Sequence, residues 1–271
     1  MSQLPDSLVI SGASSAGIKF LGKLFQMEKD GQIILCNLKV AAGVSIGALI
    51  SLFLANNLSP LEIMNSLVRH KCYEIFSRKN PLLEMVSGKG VYSLSELKKG
   101  VANMLGPENA EKCFDELPIN FLCAAYNMDT QEYQIFSSKH TPKMKAIDAA
   151  ILSCAIPFLF EPAMYDGCRY VDGGVVHNFP LTAVLETFSP QSTLGLLCKK
   201  NYAHEERSSK RWSIKDFLPL VMAATNYHTS LAVKDLPPNT RVVTISSNLP
   251  FYRLSLSETA IWQLFFDGMS E

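Results

Sequence analysis

The chain has 271 residues, 48% of them hydrophobic and 18% charged, a globular composition that excludes a disordered chain. Lys plus Arg equals Asp plus Glu at 25 each, so no net field draws it to nucleic acid. Met1 to Asp6 has no basic or long apolar region, and the longest apolar stretch, Val40 to Ala55, is shorter than the roughly 20 residues of a bilayer span; neither a signal peptide nor a transmembrane helix is expected.

In chain order, Ser7 to Ile10 reads as a short buried strand, followed by the small-residue loop Ser11 to Gly17 and a helix from about Ile18 to Glu28 with an apolar side of Phe20, Leu21, Leu24, Phe25 and Met27. A strand near Lys39 to Ala42 feeds Gly43-Val44-Ser45-Ile46-Gly47, and a helix-like apolar run follows. Ser59-Pro60 reads as an N-cap with proline at the first helical position, and Ser93 to Glu96 as a capping box opening a helix to about Leu105. Asn120 to Tyr126 and Glu132 to Ser137 read as strands joined through Asn127 to Thr130. A helix is expected after Pro142, running to about Ser153, strands at Thr193 to Cys198 and Arg241 to Ile245, and helices at Ile214 to His228 and Ser257 to Asp267. His204 to Arg211 reads as a surface loop. Asn65 to Val91, basic residues among aromatics, reads as an amphipathic excursion packed on the core, with a lid or membrane-touching surface as the alternative. Alternating strands and helices imply a three-layer α/β sandwich with a largely parallel central sheet, and residues 1–271 read as a single domain. The seven cysteines are odd in number, scattered and without Cys-x-x-Cys; reduced core thiols of a cytoplasmic protein are expected.

Gly-x-Ser-x-Gly at a strand-to-helix junction has the form of a nucleophile elbow. Gly43 and Gly47 let the chain bend, and Ser45 sits at a helix N-terminus, where amide groups favour negative charge. A serine hydroxyl needs a base within hydrogen-bond reach. Asp172 closes the β-like run Arg169 to Val171, with Gly173 and Gly174 allowing a tight turn and a close backbone approach. Upstream lies Ser153-Cys154-Ala155-Ile156-Pro157-Phe158-Leu159-Phe160-Glu161-Pro162, chemically bland by itself. A Ser-Asp-His triad, using His177, His204 or His228, is permitted by chain order, but the elbow follows only one strand–helix unit. Gly12 to Gly17 lacks a nucleotide-binding pattern, and His204-Glu205-Glu206 lacks a zinc-helix spacing.

In order and spacing these blocks resemble the patatin-like phospholipase family, from about Leu8 to Pro180 by motif. The resemblance implies a lipid acyl hydrolase of phospholipase A or lysophospholipase type working through a Ser–Asp dyad, with no cofactor and no metal. Ser45 would be the nucleophile and Asp172 the general base, partly desolvated to raise its pKa. The amides of Gly12, Ala13, Ser14 and Ile46 would form the oxyanion hole. Phospholipid or lysophospholipid would be the substrate, met through peripheral membrane contact. The first loop departs from the family pattern: Ala13 and Ser14 stand where glycines are usual, and Ala16 where a basic residue is usual. That departure supports a second expectation, a catalytically weak lipid-binding or regulatory protein on the same scaffold.

Overall fold

Leu8 and Ile10 belong to one hydrophobic cluster and Val9 to another, as the two-residue period of a strand through the middle of a sheet requires. The computed structural model describes residues 4–76, 90–200, 225, 229, 233–250 and 252–271. Its sheet contains β1 (Ser7–Ile10), β2 (Val40–Gly43), β3 (Asn120–Asn127), β4 (Glu132–Ser137), β5 (Ala163–Tyr165), β6 (Cys168–Asp172), β7 (Thr193–Lys200) and β8 (Arg241–Ser247). The order is β5-β6-β3-β2-β1-β7-β8, with β4 also on β3. The pairs β3–β2, β2–β1, β1–β7 and β7–β8 are parallel; those joining β4, β5 and β6 are antiparallel. The sheet is therefore mixed, parallel at its centre and antiparallel at one end.

Helices flank it: α1 (Ile18–Lys29), α2 (Ile46–Ala55), α3 (Pro60–Arg69), α4 (Leu94–Leu105), α5 (Ala146–Leu152), α6 (Leu181–Leu185) and α7 (Glu258–Ser270). The larger core holds Leu8, Phe20, Leu52, Val101 and Phe121; Val9, Phe179, Leu181 and Val184 form the smaller one. In α2 every residue from Gly47 to Ala55 is buried, as expected of a helix apolar all round. No single described helix is long and apolar enough to cross a membrane.

Most elements fall where the sequence places them. Ser59 caps α3 with a reciprocal box: its hydroxyl accepts the Glu62 N–H at 3.3 Å, and its own N–H donates to Glu62 Oε2 at 2.8 Å. Ser93 caps α4 through the Glu96 N–H. The expected helix over 214–228 and loop over 204–211 lie outside the described residues, Thr225 excepted. Of Asn65 to Val91, residues 77–89 lie outside them too. The seven cysteines are free thiols, but Cys36 is exposed and only four are buried, so the expectation of core thiols holds in part.

β3 has three partners and only two edges. β4 pairs with Leu122 to Asn127, overlapping both other partners, so it holds one edge alone. β2 and β6 must share the other. β2 leaves that edge at Gly43, opposite Cys123; β6 ends on it at Asp172, opposite Ala125. The last residue of β2 and Asp172 are thus set about 7 Å apart along β3, on either side of Ala124.

Candidate active site

Ser45 lies between β2 and α2 with φ 58° and ψ −128°, the strained geometry of a residue lifted out at a sharp turn. The flanking glycines serve a different purpose from the one read in the sequence. Neither has a positive φ; the serine itself takes the bend. A Cβ on Gly43 would lie 2.3 Å from the Gly47 carbonyl, and one on Gly47 would lie 2.3 Å from the Ile10 carbonyl of β1. They are needed for close backbone crossing, not for conformational freedom.

Asp172 is almost wholly buried. One carboxylate oxygen accepts the Gly174 N–H at 2.7 Å, while Oδ2 has no well-formed hydrogen bond among the described residues. Burial raises its pKa from 3.8 to about 7; hydrogen bonding from the Ser45 hydroxyl and the Gly174 amide opposes that rise without cancelling it. The structure therefore brings Ser45 and Asp172 together. No histidine among the described residues is a partner of Asp172; half-buried His177 packs its ring against Tyr133 at 5.7 Å instead. Gly173 and Gly174 are close-approach positions: added Cβ atoms would meet the Ala124 carbonyl at 2.5 Å and Asn178 Oδ1 at 2.6 Å.

The first loop packs beside this pair. A Cβ on Gly12 would lie 3.3 Å from the Ser45 Cβ. The Gly12 N–H donates to the Asn178 carbonyl at 3.1 Å, and the Asn178 side-chain amide returns a bond to the Gly12 carbonyl at 3.0 Å. In this conformation Gly12 has its amide occupied. Ala13 has φ −149°, so its Cβ carries no strain, whereas Ser14 sits at φ 55°. Ile46 is the first residue of α2, and its amide lies in the first turn, where helical bonding supplies no acceptor. Lys19, the nearby cation, turns away: its ammonium donates to the Ser246 carbonyl at 3.0 Å and pairs with Glu271.

A cleft of about 1030 Å³, its open mouth included, begins at Ser14, Ser15 and Ser45. Ile46, Leu49, Ile50 and Phe53 form one wall, at the i, i+3, i+4, i+7 spacing of a single face of α2. Leu97, Val101 and Met104 of α4 form another. Cys154 also lines it; burial and the Asp172 charge push its thiol pKa well up, leaving it protonated and unreactive.

Two contributions are absent from the sequence reading. Ser153, fully buried just past α5, accepts the Ser45 N–H at 2.9 Å and donates to the Ala124 carbonyl at 2.6 Å. Two residues on, the Ala155 carbonyl accepts the Asp172 N–H at 2.9 Å. The second is a strap, residues 252–257: Leu254 and Leu256 line the cleft, and the Ser15 hydroxyl holds the Arg253 carbonyl at 2.6 Å. Ser153 and Ala155 stand in a block visible in the sequence but given no task there, and the strap's part in the cleft was not read from the sequence.

Residues 8–185 match the patatin-like phospholipase family. The chain is 26% identical over 247 residues to uncharacterized protein R571 of Acanthamoeba polyphaga mimivirus, covering 85% of this chain and 80% of that protein. It is 25% identical over 189 residues to probable lipid hydrolase 463L of Invertebrate iridescent virus 6, covering 66% of this chain but 63% of that one. Among solved structures, VipD from Legionella pneumophila shares the fold, with a TM-score of 0.54 at 15% identity over 99% of this chain and 66% of its own length. With more than half of its length inside the family match, the chain belongs to the patatin-like phospholipases, a family of lipid hydrolases.

Proposed function

We propose that this chain, acting as one domain, hydrolyses acyl esters of phospholipids or lysophospholipids through a Ser45–Asp172 dyad. The observation that carries this reading is the buried carboxylate beside a strained serine at the head of an apolar cleft. The fatty acyl chain lies along the α2 face, and Ser45 Oγ attacks the ester carbonyl while Asp172 accepts its proton. Amides of Ala13, Ser14 and Ile46 receive the developing oxyanion. Collapse expels the lipid alcohol, which takes the proton back from Asp172. Asp172 then deprotonates the water that attacks the acyl-enzyme, and returns that proton to Ser45 Oγ as the fatty acid leaves. Contact with the membrane is peripheral, with exposed Tyr252 beside the strap leucines as one point of approach.

The test is fatty-acid release from a phospholipid and lysophospholipid panel, read by mass spectrometry across pH. A base with pKa about 7 predicts kcat/KM rising through pH 7 to a plateau. Stability has the opposite sign. Between the free carboxylate value of 3.8 and about 7, folded Asp172 keeps a proton that the unfolded chain has lost. Its contribution is full below pH 4, declines as pH rises through that window, and stays lower above it. Asp172→Asn is expected to abolish that decline in denaturant titrations at pH 5 and 8. A flat rate profile from pH 5 to 9 defeats the assignment of the base.

Val101→Phe tests the acyl site. It places extra carbon in the cleft wall, so release of the longest chains is expected to fall about 10-fold relative to short ones, since each buried methylene is worth about 0.8 kcal/mol. An unchanged chain-length profile places the acyl group elsewhere.

A second reading is slow turnover on a lipid-binding scaffold. The occupied Gly12 amide and Ser14 at φ 55° favour it. A fluorophosphonate separates the two: rapid labelling of Ser45 marks an assembled site, and lipid binding without labelling marks the alternative.

A further inference from the structure

The divided edge of β3 leaves a break in the sheet. Between Gly43, opposite Cys123, and Asp172, opposite Ala125, the Ala124 carbonyl has no strand partner on the ladder. A buried carbonyl without a donor is costly, so something must fill the gap. Ser153 fills it. Its hydroxyl proton goes to the Ala124 carbonyl at 2.6 Å, and its lone pair receives the Ser45 N–H at 2.9 Å. The Ala155 carbonyl, two residues later, receives the Asp172 N–H at 2.9 Å. One short stretch thus grips the backbone of both residues of the dyad, and through Ala124 refers them to the same strand.

We propose that Ser153 is a positioning residue for hydrolysis, acting as the keystone that sets the distance between Ser45 and Asp172. This rests on the dyad reading above. The hydroxyl never touches substrate. It works through the Ser45 amide, which has no other acceptor among the described residues, in the strained backbone at φ 58°. Without it, Ser45 loses a tether on its amide side, and the elbow can relax away from Asp172. Misplacement of a reacting group by about 1 Å costs on the order of 100-fold in rate. The cleft wall on α2 and α4 does not involve Ser153, so substrate affinity should persist.

The experiment compares Ser153→Ala, Ser153→Cys and Ser51→Ala with wild type. Ser51 is also fully buried, and its hydroxyl has no partner among the described residues, so its loss controls for removing a buried serine oxygen as such. Measurements are kcat and KM for a lipid that wild type cleaves, fluorophosphonate labelling rate, thermal unfolding, and the pH–rate midpoint. Expected for Ser153→Ala is a 30- to 100-fold fall in kcat and in labelling rate, with KM within about twofold. The midpoint should rise above that of wild type, because the Ser45 hydrogen bond that holds the Asp172 pKa down weakens. Ser153→Cys, with a weaker donor and acceptor, should fall between, and it carries the test should the alanine variant not fold. Ser51→Ala should stay within twofold in kcat. Folded Ser153 variants with wild-type kcat and an unmoved midpoint overturn the proposal, as does a loss that only tracks the unfolded fraction. If wild type itself cleaves no lipid, or cleaves it without Ser45, the dyad reading fails instead.

Discussion

Ser45→Ala is expected to lower fatty-acid release by about 10⁴-fold or more, and Asp172→Asn by about 10³- to 10⁴-fold, in each case with the folded state preserved. Alanine removes the only hydroxyl among the described residues that meets the buried carboxylate. Asparagine keeps the shape and the capacity to accept the Gly174 N–H, but it cannot take a proton. In the proposed mechanism the stages of hydrolysis all route a proton through residue 172, so the two changes are not additive. The double variant should be no slower than the worse single one. Release is measured by mass spectrometry on purified protein, with circular dichroism confirming the fold. Equal activity in wild type and both variants removes the dyad from the mechanism.

Gly47→Ala is expected to cost about 3 kcal/mol or more in stability, among the largest single-methyl effects this chain can show. Its Cβ would stand 2.3 Å from the Ile10 carbonyl and 2.7 Å from that of Ser11. Both are backbone atoms, and Ile10 is fixed in β1 between two parallel neighbours. The clash cannot be relieved by turning a side chain, so α2 must shift off the sheet. Gly17 is an instructive contrast: its Cβ would meet only the side chain of Ile46, at 2.6 Å. Gly17→Ala should therefore be the milder change. Thermal unfolding measures both, with Gly47→Ala lowering Tm by roughly 10 °C. Comparable Tm values for the two variants contradict this account of the motif.

Regular elements were legible because their causes are local. The apolar spacing in α1, the serine caps of α3 and α4, and the alternation in β4 lie within a few residues of what they determine. Where distant backbone intervened, the sequence misled. The helix expected directly after Pro142 begins only at Ala146. The carbonyls of Pro142 and Met144 accept the N–H groups of Asp115 and Phe114, which holds that stretch out of the helix. The hairpin of β5 and β6, turned at Asp166-Gly167 with positive φ at both residues, was only half visible because β5 is three residues long. Ser45 and Asp172 could be named from motifs. Ser153 could not be given a task, because its partners become meaningful only once β2 and β6 are seen to share one edge of β3.

The strap has a consequence for how this molecule may be divided. The family match ends at residue 185, yet Leu254, Leu256 and Ile261 wall the cleft, and β7, the outer neighbour of β1, begins only at Thr193. A fragment cut at that boundary would bare the open flank of β1, an invitation to aggregation, and leave its greasy channel without a roof. The family model is smaller than the working unit: the Ser45 and Asp172 motifs lie in the first two thirds of the chain, but the apolar cleft beside them is completed by the last.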